Sequence, residues 1–530
     1  MTFQNRGKFA MNLKHLVAVT ATSVALAACS GGGGASGSTA ATTSTPAAPT
    51  PATLDTSVQY KIKNVNSGLL LGIAAASQSA GASAVQGSDS GGAEQLWHVL
   101  PMGNNQYNIE NMLTHQLLGV ANASTADGAQ IVQWADNGTP DHLWTVSQDS
   151  AGNYLIRNVN SGKYLEVAQS SKLSTATIDQ AAASQAWQLV STGTSPYPAP
   201  RAVSGDGISV HDPFMLRDAS GTYWLYGTHQ TLAYSTDGST FKMVTNCTAA
   251  QMGGYGPNCP IIGPDFASWT GLQTPKSWNT GANIDIWAPS LMVVNGTYYQ
   301  YYSIPVEPST GAEAVIGLAT SQSPQGPWTD QGFVTKSWTS TSTPPAGFQT
   351  TTDNAIDPAP FVDASGNWWM VWGSWTDGTH LMQLDPSTGL QSKTNTTVYT
   401  VAQRGTPSAG EEGPFIYYYK GYYYYFAPIN VCCNGTSSTY RTIVGRATSP
   451  TGPYVDRGGV ALTAGGGTIL LSTHGNVIGP GGGSVFTDTG NNNTPTFVYH
   501  YYDGNANGRP TLGINPLAFT ADGWPYIVAQ

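Results

Sequence analysis

Apolar and polar residues alternate in short runs along most of this chain, and nearly every run stops at Gly, Pro, Asn or Asp. Tyr60-Lys-Ile-Lys-Asn64, Tyr107-Asn-Ile-Glu-Asn111 and Tyr154-Leu-Ile-Arg-Asn158 show the alternation, whereas Trp368-Trp-Met-Val-Trp372 and Tyr422-Tyr-Tyr-Tyr-Phe426 are aromatic runs with no polar face. Period two over about four to eight residues between turn residues marks β-strands. No window sustains the helical period, so the expected class is all-β.

The runs recur at two spacings. The three Tyr-x-Ile-x-Asn segments start 47 residues apart, and each is followed by a Gly/Leu turn-and-strand segment closed by Trp97, Trp144 or Trp187. Units of that size cannot bury an apolar face alone, so three of them predict a β-trefoil over residues 57–191. The endings Gln95-Leu-Trp97, Asp141-His-Leu-Trp144 and Gln185-Ala-Trp187 resemble the QxW signature of ricin-type lectin domains, which implies carbohydrate binding. In that pattern Trp and Gln are structural. Sugar contacts lie in the turns, where Asp127, Gln133 and Trp134 are candidates, or else plain turn and core residues.

Beyond a Ser/Pro/Ala-rich linker at 192–204, five longer copies fill residues 205–530. Each begins with a pair ending in Pro and enters an aromatic strand: His211-Asp-Pro213, Trp287-Ala-Pro289, Ile356-Asp-Pro358, Glu412-Gly-Pro414 and Ile478-Gly-Pro480, with Pro-to-Pro spacings of 76, 69, 56 and 66. Copies of that length predict four-stranded blades of a five-bladed β-propeller. Radial symmetry brings equivalent strand starts together at the centre, and three of the five carry an acid: Asp212, Asp357 and Glu412. Alone, Asp before Pro can merely start a turn. Carboxylates from separate blades aimed at one cavity are what acid/base cleavage of a glycosidic bond requires. Glu411 is expected to point the other way along an extended chain.

At 530 residues the chain needs more than one core. A net charge of −10 and the absence of zinc-finger, nucleotide-binding or phosphate-loop spacings argue against nucleic acid; a neutral sugar polymer is recognised instead by stacking and hydrogen bonds. Arg6, Lys8, Lys14 and His15 precede an apolar stretch ending in Leu26-Ala-Ala-Cys29, which reads as an export signal over 1–28. The tetrapeptide resembles a bacterial lipobox, which implies a lipid on Cys29 and anchoring at the cell envelope or surface; the other reading is a plain signal peptide and secretion. A Gly/Ser/Thr/Pro-rich tether follows over 29–56. Cys247 and Cys259 bracket a loop they could staple, and Cys432-Cys433 is either a vicinal bridge or two thiols.

Val210-His-Asp-Pro213, Asp285-Ile-Trp-Ala-Pro289, Asn354-Ala-Ile-Asp-Pro358, Glu412-Gly-Pro-Phe415, Cys432-Cys-Asn-Gly-Thr-Ser-Ser-Thr-Tyr440 and Gly445-Arg446, one set per blade in order, resemble glycoside hydrolase family 43, and within it the endo-α-1,5-L-arabinanases. The resemblance implies an inverting hydrolase of arabinan in plant cell walls and pectin side chains, acting as a monomer. Asp212 is then the general base, Glu412 the general acid, and Asp357 the carboxylate that orients the acid and raises its pKa. Trp287 would stack on a furanose ring or pack a blade, and Ser374 and Asn354 would meet substrate. The family also implies a calcium ion near the acids, for which His474 is the candidate ligand, or else a hydrogen-bonded loop histidine. Gly481 and Ser290 depart from relatives that place His and Asp there. An exo-acting arabinofuranosidase or β-xylosidase with the same triad, and a non-catalytic polysaccharide-binding surface lipoprotein, are the alternatives.

Overall fold

The computed structural model describes residues 49–169, 172–176, 183–244, 286–305, 313–339, 351–404 and 410–530. The export signal, Cys29, most of the tether, Cys247, Cys259 and Asp285 lie outside them. Among the described residues there are strands and short 3-10 turns but no α-helix.

In the N-terminal domain each closing tryptophan is a buried pin. Trp97, Trp144 and Trp187 are fully buried, and their indole N–H groups donate to the carbonyls of Leu71, Leu118 and Leu165 at 3.0, 2.9 and 3.1 Å. The Asn that ends each Tyr-x-Ile-x-Asn strand ties one repeat to another. Asn64, Asn111 and Asn158 donate through Nδ2 to the carbonyls of Ser184, Glu94 and Asp141 at 2.9, 2.9 and 2.8 Å. The last strand, Trp187–Ser191, pairs antiparallel with the first repeat strand, Tyr60–Asn64, and closes the β-trefoil around Ile62, Leu71, Ile109, Leu118, Ile156 and Leu165. Gln133 belongs to this interior, spending its amide on the Ser77 and Ser79 carbonyls, and Asp127 is ion-paired with Lys163 at 2.9 Å.

Five four-stranded antiparallel sheets follow, each with its strands in chain order. They start with the inner strands Phe214–Arg217, Trp287–Val294, Ala359–Val362, Phe415–Tyr419 and Val477–Asp488. The aromatic runs without a polar face are the second strands. Tyr223–Gly227 and Trp368–Trp372 are buried along their whole length because a neighbouring blade covers each face, so alternation vanishes from their sequence. Their phenols still need partners in the core: Tyr223 donates to Asp488 at 2.9 Å and Tyr499 to Asn515 at 2.8 Å. Blades one and five close the ring through a shared cluster that includes Val210, Leu225, Val498 and Leu512.

One expectation is corrected. Matching the inner to the second strands puts Phe214, Ser290, Ala359, Phe415 and Ser484 in equivalent places, opposite Tyr226, Tyr301, Val371, Phe426 and Val498. The fifth blade's equivalent channel position is therefore Gly482-Gly483-Ser484, not Ile478-Gly479-Pro480. Two register shifts in Val477–Asp488 displace the strand relative to its Gly-Pro pair.

The segment read as a linker is pinned. Thr192 N–H donates to the Gln59 carbonyl and Arg201 N–H to that of Ile514, each at 2.9 Å, and Tyr197 is buried. The Tyr197 hydroxyl donates to Glu110, a buried trefoil carboxylate that also receives His115 at 2.8 Å, His98 at 3.3 Å and Ser472 of the propeller at 3.3 Å.

Candidate active site

Two residues before each equivalent strand position stand Asp212, Ala288, Asp357, Gly413 and Gly482, with φ of 49°, 42°, 58°, 53° and 58°. One left-handed backbone geometry is thus repeated in all five blades. Glycine adopts it without penalty, while a residue with a Cβ gives up about 1–2 kcal/mol. Asp212 and Asp357 carry that cost at the centre of the molecule, where strain of this kind accompanies function. Residues 212–214, 288–290, 357–359, 413–415 and 482–484 line one narrow cavity.

Glu412 stands one residue earlier than Asp212 and Asp357 do in their blades. Its Oε2 accepts from Ser374 Oγ at 2.9 Å and from the Trp375 indole at 3.1 Å. Glu411 faces away, as extended backbone demands, and accepts the buried Tyr425 hydroxyl at 2.7 Å.

The acids are held from the blade before. In blades five, one, two and three a polar side chain near the end of the second strand reaches the pre-proline region of the next blade. In blade five this is His500, whose Nδ1 accepts the Asp212 amide at 3.1 Å. In blade one Thr228 accepts the Ala288 amide at 2.9 Å and donates to Asp212 Oδ2 at 2.6 Å. In blade two Ser303 accepts the Asp357 amide at 3.1 Å and donates to the Trp287 carbonyl at 3.0 Å. Ser374 of blade three instead donates to the Glu412 carboxylate, and Asp357 Oδ2 accepts the Gly413 amide at 3.0 Å. Thr228, Ser303, Trp375 and His500 escaped the sequence reading. The available signal was a polar residue near the end of, or just after, the aromatic strand in four blades.

Burial pushes Glu412 up to about 7, and the charge of Asp212 adds to it, against the lowering effect of Ser374 and Trp375. Asp357 is pushed well up, first by burial and then by Glu412 and Asp212. Desolvation is therefore the larger cause of the raised acid, where sequence reasoning relied on the charge of Asp357. A carboxyl that keeps its proton near neutrality beside one that accepts Thr228 suits general acid and general base work.

Asn354 presents a buried Oδ1 that has no hydrogen-bond partner, next to the blade-three acid. Trp287 is half-buried at the start of the blade-two inner strand. Ser374, expected to meet substrate, is only 2% exposed and is spent on Glu412. His474 lies elsewhere, buried with its ring 5.4 Å from that of the linker's Tyr197 and its Nδ1 2.7 Å from the Ser472 carbonyl; burial pushes it down to about 4.

Among the described residues, the group close enough to share an ion is His211, Asp212 and His500, with ligand atoms within 4.8 Å. Calcium takes about six to eight oxygens. Two imidazoles and one carboxylate do not make that cage. Cys432 and Cys433 are joined in a vicinal disulfide, and the Cys433 amide donates to Tyr502, whose hydroxyl lies 3.3 Å from His211 Nε2.

The chain is similar to the probable arabinan endo-1,5-alpha-L-arabinosidase A of Emericella nidulans, 34% identical over 343 residues that cover 62% of this chain and 94% of the relative. It is 38% identical over 273 residues to the extracellular endo-alpha-(1->5)-L-arabinanase 1 of Bacillus subtilis, covering 49% of this chain and 77% of that one. Among solved structures it resembles an endo-arabinanase from Bacillus licheniformis, with TM-score 0.50, 32% identity and coverage of 61% and 99% of the two chains. An exo-1,5-alpha-L-arabinanase from a bovine ruminal metagenomic library gives TM-score 0.51 and 31% identity, covering 61% and 97%. Residues 52–134 and 140–199 match the ricin-type beta-trefoil lectin domain-like family. Residues 207–525 match glycosyl hydrolases family 43, and with its five blades and three converging carboxyls the chain belongs to that family of glycoside hydrolases.

Proposed function

We propose that this protein hydrolyses internal α-1,5-L-arabinofuranosyl linkages of arabinan with inversion of configuration. Asp212 takes a proton from the water that attacks the anomeric carbon, and Glu412 gives its proton to the departing sugar oxygen. Asp357 holds the Gly413 amide and so keeps the acid's segment in place. The observation that carries the reading is the division of labour between two neighbouring carboxyls: one raised to about 7 and held by Ser374 and Trp375, the other near enough for its charge to act on the first and accepting a hydroxyl. Endo-acting names among the relatives support the substrate. Asn354 and Trp287 are the proposed substrate contacts. The N-terminal signal supports export with a lipid on Cys29, which would hold the enzyme at the cell envelope; the trefoil would add a second hold on plant polysaccharide.

Exo action is the second reading, because an exo-arabinanase resembles this chain as well as the endo-enzymes do. A time course on debranched arabinan separates them. Mixed arabino-oligosaccharides early in the reaction are expected; arabinose alone from the start moves the assignment to an exo-enzyme. Proton NMR of the first product should show the anomer opposite to that of the substrate, and retention there overturns the assigned roles.

A further inference from the structure

The trefoil reaches into the propeller directly behind the catalytic acid. Its Asp136 is 5% exposed and lies against three propeller side chains, Arg404 at 3.1 Å, Asn430 at 3.3 Å and Arg441 at 3.4 Å, which are themselves 6%, 8% and 1% exposed. Arg441 also donates to the trefoil's Asn108 at 2.8 Å. These contacts bear on the segment that carries Glu412. Asn430 follows the blade-four second strand, Tyr422–Ile429, with φ of 74°, and its backbone N–H donates to the Gly410 carbonyl at 3.0 Å. Glu411 bridges to Ile429, and the Glu412 amide donates to the Pro428 carbonyl at 3.3 Å. Gly410–Glu412 is thus laid along Pro428–Asn430 on one side, with Ser374 and Trp375 on the other.

We propose that Asp136 is a positioning residue for the catalytic acid: through Asn430 and Arg404 the trefoil fixes the backbone that aims Glu412 into the channel. The Emericella relative matches over 94% of its own length with 62% of this chain, which leaves it no room for a trefoil of this size. The clamp is therefore an addition to the shared propeller, and the trefoil is part of the catalytic machinery's frame as well as a sugar-binding module.

The inference rests on the reading of Glu412 as the acid. The experiment uses the full chain and two substrates, arabinan and an aryl arabino-oligosaccharide whose nitrophenolate leaves without a proton. Asn430→Gly keeps the positive φ and removes only the side-chain link to Asp136. It is expected to lower kcat on arabinan about tenfold or more with KM within about twofold, and to spare the aryl substrate. The basic limb of its pH profile should move to lower pH, since a looser segment admits water to a carboxyl that burial raised. The groups around that carboxyl are Asp212, Asp357, Tyr502, Ser374 and Trp375, with Arg404 behind at Glu411. Asp136→Ala should show the same split in whatever fraction folds. Ser472→Ala, at the other end of the seam, should keep the parent kinetics. Parent kinetics in Asn430→Gly, equal losses on both substrates, or the same split in Ser472→Ala would each overturn the proposal. Glu412→Gln is run alongside: if it retains arabinan hydrolysis, the underlying assignment of the acid fails instead.

Discussion

At the scale of the residue, the chemistry turns on how the protein keeps Glu412 protonated. Its pKa in the folded protein, about 7, lies above the ordinary carboxyl value because burial disfavours its charge. Catalysis by this acid should decline as pH rises through about 7, seen as the basic limb of kcat/KM. The same shift has a sign for stability. A carboxyl raised on folding contributes stability fully below its unfolded pKa and loses it as pH rises through the folded pKa. Glu412→Gln should therefore melt at a higher temperature than the parent near about pH 8 and show no advantage near about pH 4. Ser374→Ala removes a donor that favours the charged form, so its basic limb should shift upward while kcat falls about tenfold. The three acids are legible in the sequence because Asp212 and Asp357 keep phase with a repeat and Glu412 falls one residue short of it. Thr228, Ser303 and His500 are not, because each acts on a neighbouring blade and a single polar residue near a strand end has no local meaning until the ring is closed.

At the scale of the element, the repeat explains what could and could not be read. Five strand starts, aromatic second strands and three Trp-closed units are periodic, so propeller and trefoil are visible from spacing alone. The channel position of blade five is not, because a bulged strand breaks the count between its Gly-Pro pair and Gly482. That position, Gly482, is tightly constrained: a Cβ there would stand 2.5 Å from Asp212 Oδ1 and 2.7 Å from His500 Cε1, at φ of 58°. Gly482→Ala should cost about 1 kcal/mol in backbone conformation alone, and by displacing Asp212 it should reduce kcat on arabinan by about tenfold or more, which steady-state kinetics with a parallel thermal melt would separate.

At the scale of the whole molecule, two domains read from separate repeats share a buried polar seam. Arg404 and Arg441 of the propeller are compensated by Asp136 of the trefoil, and burying such cations without a partner is expensive, about 3–5 kcal/mol for a broken pair. Calorimetry of the intact chain should accordingly show one cooperative unfolding transition; two well-separated transitions would mean that the seam contributes little. A seam of this kind escapes sequence reading because its bonded members lie as much as 362 positions apart and resemble ordinary surface charges. The pinned segment around Tyr197 carries the last consequence. A lectin on a slack leash raises the local concentration of substrate over a sphere; one bolted at a set angle works as a ruler. Under the proposed function, a chain gripped by the trefoil meets the channel at one fixed offset, so linked binding would favour cuts at a preferred distance from the gripped sugar and give no advantage on fragments too short to span the gap.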